Sequence, residues 1–315
     1  MTSSQLSSIL KETASELGFS KVGIAPAVSA PLTKERLYLW LDKNYHSGMK
    51  WMAKRKEERG DIKQYYPQVK SVISLGMNYF TGNPEDGEDA CKISNYAWGD
   101  DYHEVVKNRM YDLYSTLQGI EPEIRGIVAV DTSPITEKDW AQKAGLGWLG
   151  KHTNLITREF GSWLFLGELL LNVELEYDKP FTEDLCGSCT ACLDACPTNA
   201  FPQPYVLDSE KCISYLTIEH RGDLPEEFES ELHNWVYGCD ICQEVCPWNI
   251  SFQKLSTIEA FQPREDLQSR KLEQWKNFTK DDFRSLFSKS AVKRTKFEGL
   301  SRNIEAVRKS IEVSK

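Results

Sequence analysis

Apolar positions recur at helical spacing over 4–18, where Leu6, Leu10 and Leu17 share one face. A short apolar run at 21–25 reads as a strand, and helical patterns follow over 33–44 and 46–58. Residues 69–80 (VKSVISLGMNYF) read as a buried strand, and 101–118 as an amphipathic helix. The run IRGIVAVD at 124–131 is another strand and ends on Asp131. A helix over 136–144 and strands over 154–157 and 163–175 complete the first part. From 256 onward the pattern is helical, with a long final helix near 291–311. Few strands among many helices predict an α+β sandwich rather than a long doubly wound sheet. The expected parts are 1–180, 181–255 and a helical C-terminal segment, 256–315.

The chain has 315 residues, with 9 Trp, 13 Tyr and 13 Phe, enough core material to exclude disorder. The apolar stretch 163–173 is too short to span a bilayer and is broken by Glu168. With no export pattern at the start, a cytoplasmic protein without membrane contact is expected. A net charge of −9 and a pI near 5.3 argue against a protein that coats nucleic acid. One local exception is 289–315, with eight Lys and Arg against three Glu. A solvated helix face explains that run equally well.

The cysteines change the picture. Eight of the nine fall in two runs, Cys186-x2-Cys189-x2-Cys192-x3-Cys196-Pro197 and Cys212…Cys239-x2-Cys242-x3-Cys246-Pro247. The first run has the spacing of bacterial ferredoxins, in which the fourth cysteine of each run serves the other cluster. Two [4Fe–4S] clusters are therefore expected, one on Cys186, Cys189, Cys192 and Cys246, the other on Cys196, Cys212, Cys239 and Cys242. Zinc would use CxxC pairs but leaves the two CxxxCP endings unexplained. A disulfide framework does not suit a large chain without an export signal. The insertion 213–238 must leave the ferredoxin core, and Cys91 is left without a role. Gly145, Gly147 and Gly150 fit a dinucleotide fingerprint, but a helix precedes them and a strand follows, the reverse of what that site needs.

The segments WGDDYH (98–103), VDTSPITE (130–137), AGLGWLGKHTN (144–154), CGSCTACLDACP (186–197), CISYL (212–216) and GCDICQEVCP (238–247) resemble the epoxyqueuosine reductases, cobalamin and iron–sulfur enzymes of tRNA modification. The resemblance implies a nitroreductase-like cobalamin-binding sandwich joined to a ferredoxin-like domain. It implies base-off cobalamin, refilled by the clusters, that reduces epoxyqueuosine to queuosine at the tRNA wobble position. Asp131 is then the proton donor, with a pKa raised by burial, and His103 a second polar group beside it. Lys54, Lys151, His152, Thr153, Asn154, Ser214 and Tyr215 are expected to meet the cofactor. The insertion should overhang the corrin, and His220 and Arg221 should reach tRNA phosphate. An external donor of reductase or flavodoxin type and a monomeric chain are expected. The competing readings are a cobalamin-dependent reductase or dehalogenase of a small molecule, and an electron carrier or cobalamin chaperone without chemistry of its own.

Overall fold

Four antiparallel strands form the centre of the structure, a computed structural model that describes residues 1–29, 31–83, 87, 90–264, 267–268 and 270–313. In chain order the described residues carry the strands β1 (Lys21–Pro26), β2 (Ser71–Asn78), β3 (Lys92–Ile93), β4 (Gly126–Ala129), β5 (Trp148–Leu149), β6 (Leu155–Ile156), β7 (Leu164–Leu171) and β8 (Trp235–Tyr237). The main sheet has the order β1-β2-β7-β4, every neighbouring pair antiparallel. All eight residues of β2 are buried, which is why it reads as an unbroken apolar run.

Helices cover both faces of this sheet. In the N-terminal half they are α1 (Ser3–Glu16), α2 (Pro31–Asp42), α3 (Lys50–Lys54), α4 (Lys56–Gly60), α5 (Ile62–Tyr65), α6 (Tyr102–Ile120) and α7 (Glu137–Lys143). Thr2 and Gln5 cap α1 reciprocally. On α6, Val106, Met110, Leu113 and Leu117 line one stripe and pack with Leu6, Leu10 and Ala14 of α1 against Leu75, Met77 and Leu169. On the other face Trp140 and Ala141 of α7 pack on Val72 and Leu170. The sequence predicts one helix over 46–58; instead Asn44 and Ser47 adopt positive φ, and the chain breaks into α3, α4 and α5. Gly48 N–H and Ser47 Oγ bond Tyr215 Oη, at 2.9 and 3.1 Å, which fixes the turn before α3, and the non-helical Arg55 and Asp61 separate the three helices.

The cysteine segment carries α8 (Ala191–Asp194), α9 (Ile213–Ile218), α10 (Ile241–Glu244) and α11 (Pro247–Phe252); the tail carries α12 (Lys280–Phe287) and α13 (Lys296–Val313). A further core draws on three distant stretches: Ile93 and Trp98, then Leu216, Trp235 and Tyr237, then Phe283, Phe287, Leu300 and Val307. β3 pairs in parallel with β8, which ties the first stretch to the second. Much of the insertion 213–238 is thus packed interior, Ile213–Ile218 and Trp235–Tyr237 above all, while 221–223 are exposed. The tail shares that interior across the boundaries expected at 180 and 255, and the long final helix starts at Lys296 after a 3-10 turn over Ala291–Thr295. Lys315, part of the basic run, lies outside the described residues. Among the described residues no helix is long and apolar enough to cross a membrane.

Candidate active site and cysteine centres

The cysteines gather into two groups of four. Cys186, Cys189, Cys192 and Cys246 line one cavity of about 220 Å3, with Lys151, His152, Ile156, Leu185, Pro247 and Trp248 forming the remaining wall. Burial, with Cys246, Cys186 and Cys189 beside it, pushes the Cys192 thiol up to about 11. In the other group burial pushes Cys242 well up, with Cys212 and Cys196 among its neighbours; Cys239 is raised likewise, by burial and then by Cys242 and Cys212. Such crowded thiols are relieved when iron replaces their protons.

Two of the cysteines also begin helices. Cys212 precedes α9 and accepts the Ser214 and Tyr215 amides; Cys246 precedes α11 and accepts those of Trp248 and Asn249. The helix N-terminus stabilises a thiolate there. Cys196 Sγ accepts Ala200 N–H at 3.3 Å. Among the described residues no three His, Cys, Asp or Glu side chains converge closely enough to hold a single metal ion. Eight cysteines in two cages of four, with amides aimed at the sulfurs, fit the larger span of two iron–sulfur cubes.

β4 delivers the second element of the site. Just beyond it, Asp131 turns with φ +51°, a conformation that Asp tolerates better than most side chains. Its N–H donates to Glu137 Oε1 at 2.5 Å, at the first turn of α7. Its Oδ2 lies 3.1 Å from His103 Nε2, while His103 Nδ1 lies 2.7 Å from Asp101 Oδ1. The His103 ring stacks on Tyr102 at 4.0 Å, and Tyr102 stacks on Phe165 at 4.3 Å.

The charges in this group oppose the expectation for Asp131. Burial would raise its carboxyl, but the hydrogen bond and charge of His103 overrule burial and hold it below its usual range. Burial would lower His103; Asp101 and Asp131 overrule that and raise it to about 9. The elevated carboxyl is the neighbouring Glu137, pushed up to about 8 by burial and then by the Asp131 charge. The free site therefore stores its proton on His103, in an ion pair with Asp131.

Lys138 joins this pair to the cysteines. It is surface-accessible yet walled in by protein, and burial lowers its pKa against the pull of Glu137, Cys242, Asp131 and Cys212. Its Nζ donates to Asn154 Oδ1 at 2.8 Å. Lys138, accessible yet surrounded by protein, marks a candidate cleft within electrostatic reach of Asp131 and of the Cys212–Cys242 group. Glu137, Lys138, Asp101 and Arg59 were not singled out by the sequence reading. Arg59 is buried, and its Nη1 donates to Ser133 O at 3.2 Å, bracing the Asp131 loop. The only signal for Glu137 and Lys138 was their place just after the VDTSP turn.

The other expected site residues divide. Asn154 borders the cleft through Lys138, and Thr153 beside it has positive φ. Lys151 turns away: its Nζ donates to Gly187 O at 2.6 Å and Cys189 O at 2.8 Å, so it braces the first cysteine loop. His152 is buried, accepts Asn154 N–H at Nδ1, and is lowered to about 4 by burial and then Lys138, so it is neutral. Tyr215 spends its hydroxyl on residues 47–48, while its amide and that of Ser214 serve Cys212. Lys54 is exposed at the end of α3. His220 Nε2 lies 2.7 Å from Asp223 O, and Arg221 donates to Ile218 O and Arg294 O.

Two family models match the chain: "4Fe-4S double cluster binding domain" over residues 185–249, and "Epoxyqueuosine reductase QueG, DUF1730" over residues 59–132. The chain is similar to the epoxyqueuosine reductase of Cyclobacterium marinum, 45% identical over 301 residues, with 95% of this chain and 96% of that one covered. It is 40% identical over 295 residues to the epoxyqueuosine reductase of Escherichia coli K12, covering 92% and 77%. A solved structure of an epoxyqueuosine reductase with a tRNA-Tyr epoxyqueuosine-modified tRNA stem loop superposes with a TM-score of 0.90 at 30% identity, over 98% of this chain and 82% of that one.

Proposed function

The chain belongs to the epoxyqueuosine reductase family, and we infer that it reduces epoxyqueuosine in tRNA to queuosine at the wobble position of the anticodon. The observation that carries this reading is a lysine placed between a proton source and a redox centre. Lys138 lies in electrostatic reach of Asp131 and Glu137 on one side and of Cys212 and Cys242 on the other.

The cleft is assigned to base-off cobalamin, on a sheet arranged in the nitroreductase manner. Its donors fit an amide-rimmed ring: an ammonium on Lys138, the Asn154 carboxamide, and the positive-φ backbone at Thr153. When bound, cobalamin supplies the two-electron reductant, and the two [4Fe–4S] clusters return its electrons.

Loss of the epoxide oxygen as water takes two electrons and two protons. Asp131 stands at the mouth of the cleft with 52% of its side chain exposed, placed to give a proton to that oxygen. His103, at 3.1 Å, supplies that proton to the ionised Asp131 carboxylate, which relays it to the oxygen, and the second proton comes from water. Glu137 holds the Asp131 backbone through its N–H, so the carboxyl faces the cleft in one orientation. The wobble nucleotide leaves its stack to reach this depth. The edge formed by His220, Arg221 and Arg302 is assigned to the anticodon phosphates. Arg302 fixes it from α13 by donating to His220 O and Gly222 O. The chain is assigned to the cytoplasm as a monomer supplied by a flavodoxin-type donor.

Mass spectrometry of tRNA nucleosides from cells lacking this protein tests the reading. Epoxyqueuosine should accumulate, and the wild-type chain should clear it. A normal queuosine level in those cells would overturn it.

A further inference from the structure

We propose that Asp101 and Lys293 form a positioning couple that orients and charges His103 behind the Asp131 proton donor, so that the C-terminal segment helps set the reactivity of the active site. The proposal rests on the roles given above to Asp131 and His103.

Asp101 is buried at the start of α6, 6% exposed. Its Oδ1 accepts His103 N–H at 3.2 Å and faces His103 Nδ1 at 2.7 Å. Its Oδ2 takes Lys293 Nζ at 2.7 Å. Lys293 comes from the 3-10 turn Ala291–Thr295, which is anchored here rather than laid over the surface. Asp101 N–H donates to Lys289 O at 2.7 Å, Ser290 Oγ to Ala97 O at 3.2 Å, and Arg264 Nη2 to Lys289 O at 2.9 Å.

With Nδ1 committed to Asp101, His103 presents Nε2 alone to Asp131. An imidazolium donates from both nitrogens. His103 Nε2 gives its proton to the ionised Asp131 carboxylate at Oδ2, the carboxyl passes it on to the substrate oxygen, and water reprotonates Nε2 at the 29%-exposed ring. Asp101 stays ionised throughout and touches no substrate.

The charged groups around His103 are Asp101 on its own helix, Asp131 and Glu137 from β4 and α7, and Lys293 and Arg294 from the tail. Within this set Asp101 favours the imidazolium, whereas Lys293 competes for the same carboxylate and repels a second cation. Removing them must move His103 in opposite directions. A loosened fold would move both variants the same way.

The test follows the His103 titration by NMR in 15N-histidine-labelled, cluster-loaded protein without corrinoid, alongside the pH profile of kcat for the holoenzyme. Asp101→Asn should lower the His103 midpoint by about one pH unit, and Lys293→Met should raise it by about half a unit. Lys293→Arg should restore the wild-type midpoint, and the basic limb of kcat should follow in each case. Unmoved midpoints, or shifts of one sign, overturn the proposal. Opposite midpoint shifts with an unmoved kcat limb uphold the couple and overturn the donor roles of His103 and Asp131.

Discussion

Glu168 lies in the middle of β7 with none of its surface exposed. One hydroxyl, Ser74 Oγ, reaches it at 3.5 Å, and its Oε2 has no hydrogen-bond partner among the described residues. Burial, followed by the charge of Glu137, pushes its carboxyl well above the ordinary 4.5. The folded chain therefore holds this proton to higher pH than the unfolded chain does. Glu168 contributes its full stability below the unfolded value and loses it as pH rises toward the folded one. Each pH unit within that window costs about 1.4 kcal/mol. Glu168→Gln preserves shape and an acceptor for Ser74 while removing the titration. Anaerobic calorimetry of cluster-loaded protein from pH 5 to 8 should find nearly equal Tm values at the acid end. The variant's advantage should widen with pH by about 2 °C or more per kcal/mol. Parallel curves, or a variant that melts earlier at pH 8, would refute the reasoning.

Asp131→Asn should lower kcat about 10²- to 10⁴-fold while cluster absorbance and the corrinoid-binding spectrum stay as in wild type; retained turnover removes Asp131 as the donor. Glu137 is raised to about 8, so its stabilising effect is present at acid pH and lost as pH climbs to that value. Glu137→Gln should flatten the alkaline fall of Tm, and Glu137→Ala, which frees the Asp131 N–H, should also depress kcat. Cys192→Ala and Cys242→Ala should each cut iron from about eight to about four per chain; loss of all iron from either variant would contradict two separate cages. Lys151→Met unties the Gly187 and Cys189 carbonyls, so absorbance in air should bleach in two phases, with one centre lost first.

The cysteine cages were legible because their ligands obey a local spacing rule, and cluster geometry leaves few ways to satisfy it. The sheet strands and α6 were legible for the same kind of reason, since burial writes its period into neighbouring residues. Side-chain direction was not. Lys151 and Asn154 sit in one short loop, yet the first braces a cysteine loop and the second meets the cleft. Only the approach of residues 187–189 decides between them. The packing of the insertion was not legible, because its departure from the ferredoxin spacing says nothing about what it lands on. Its partners, Trp98 and Phe287, lie far away in sequence. The expected rise in the Asp131 pKa followed from burial alone, and the reversal comes from a histidine that no spacing rule brings to 3.1 Å.

The core shared by residues 93–98, 213–237 and 283–311 sets a schedule for maturation. Cys212 and Cys239 pack against that core, and α13 completes it. At ribosomal speeds of about 5–20 residues per second, the final helix emerges several seconds after the last cysteine. Iron delivered during synthesis would meet a cage whose outer wall does not yet exist. Loading of the Cys212–Cys242 cage belongs to the finished polypeptide: a chain clipped within its last helix should lose that centre, while the other cage, whose Cys246 and Cys186 pack with Trp148 and Ile156 instead, still colours the protein.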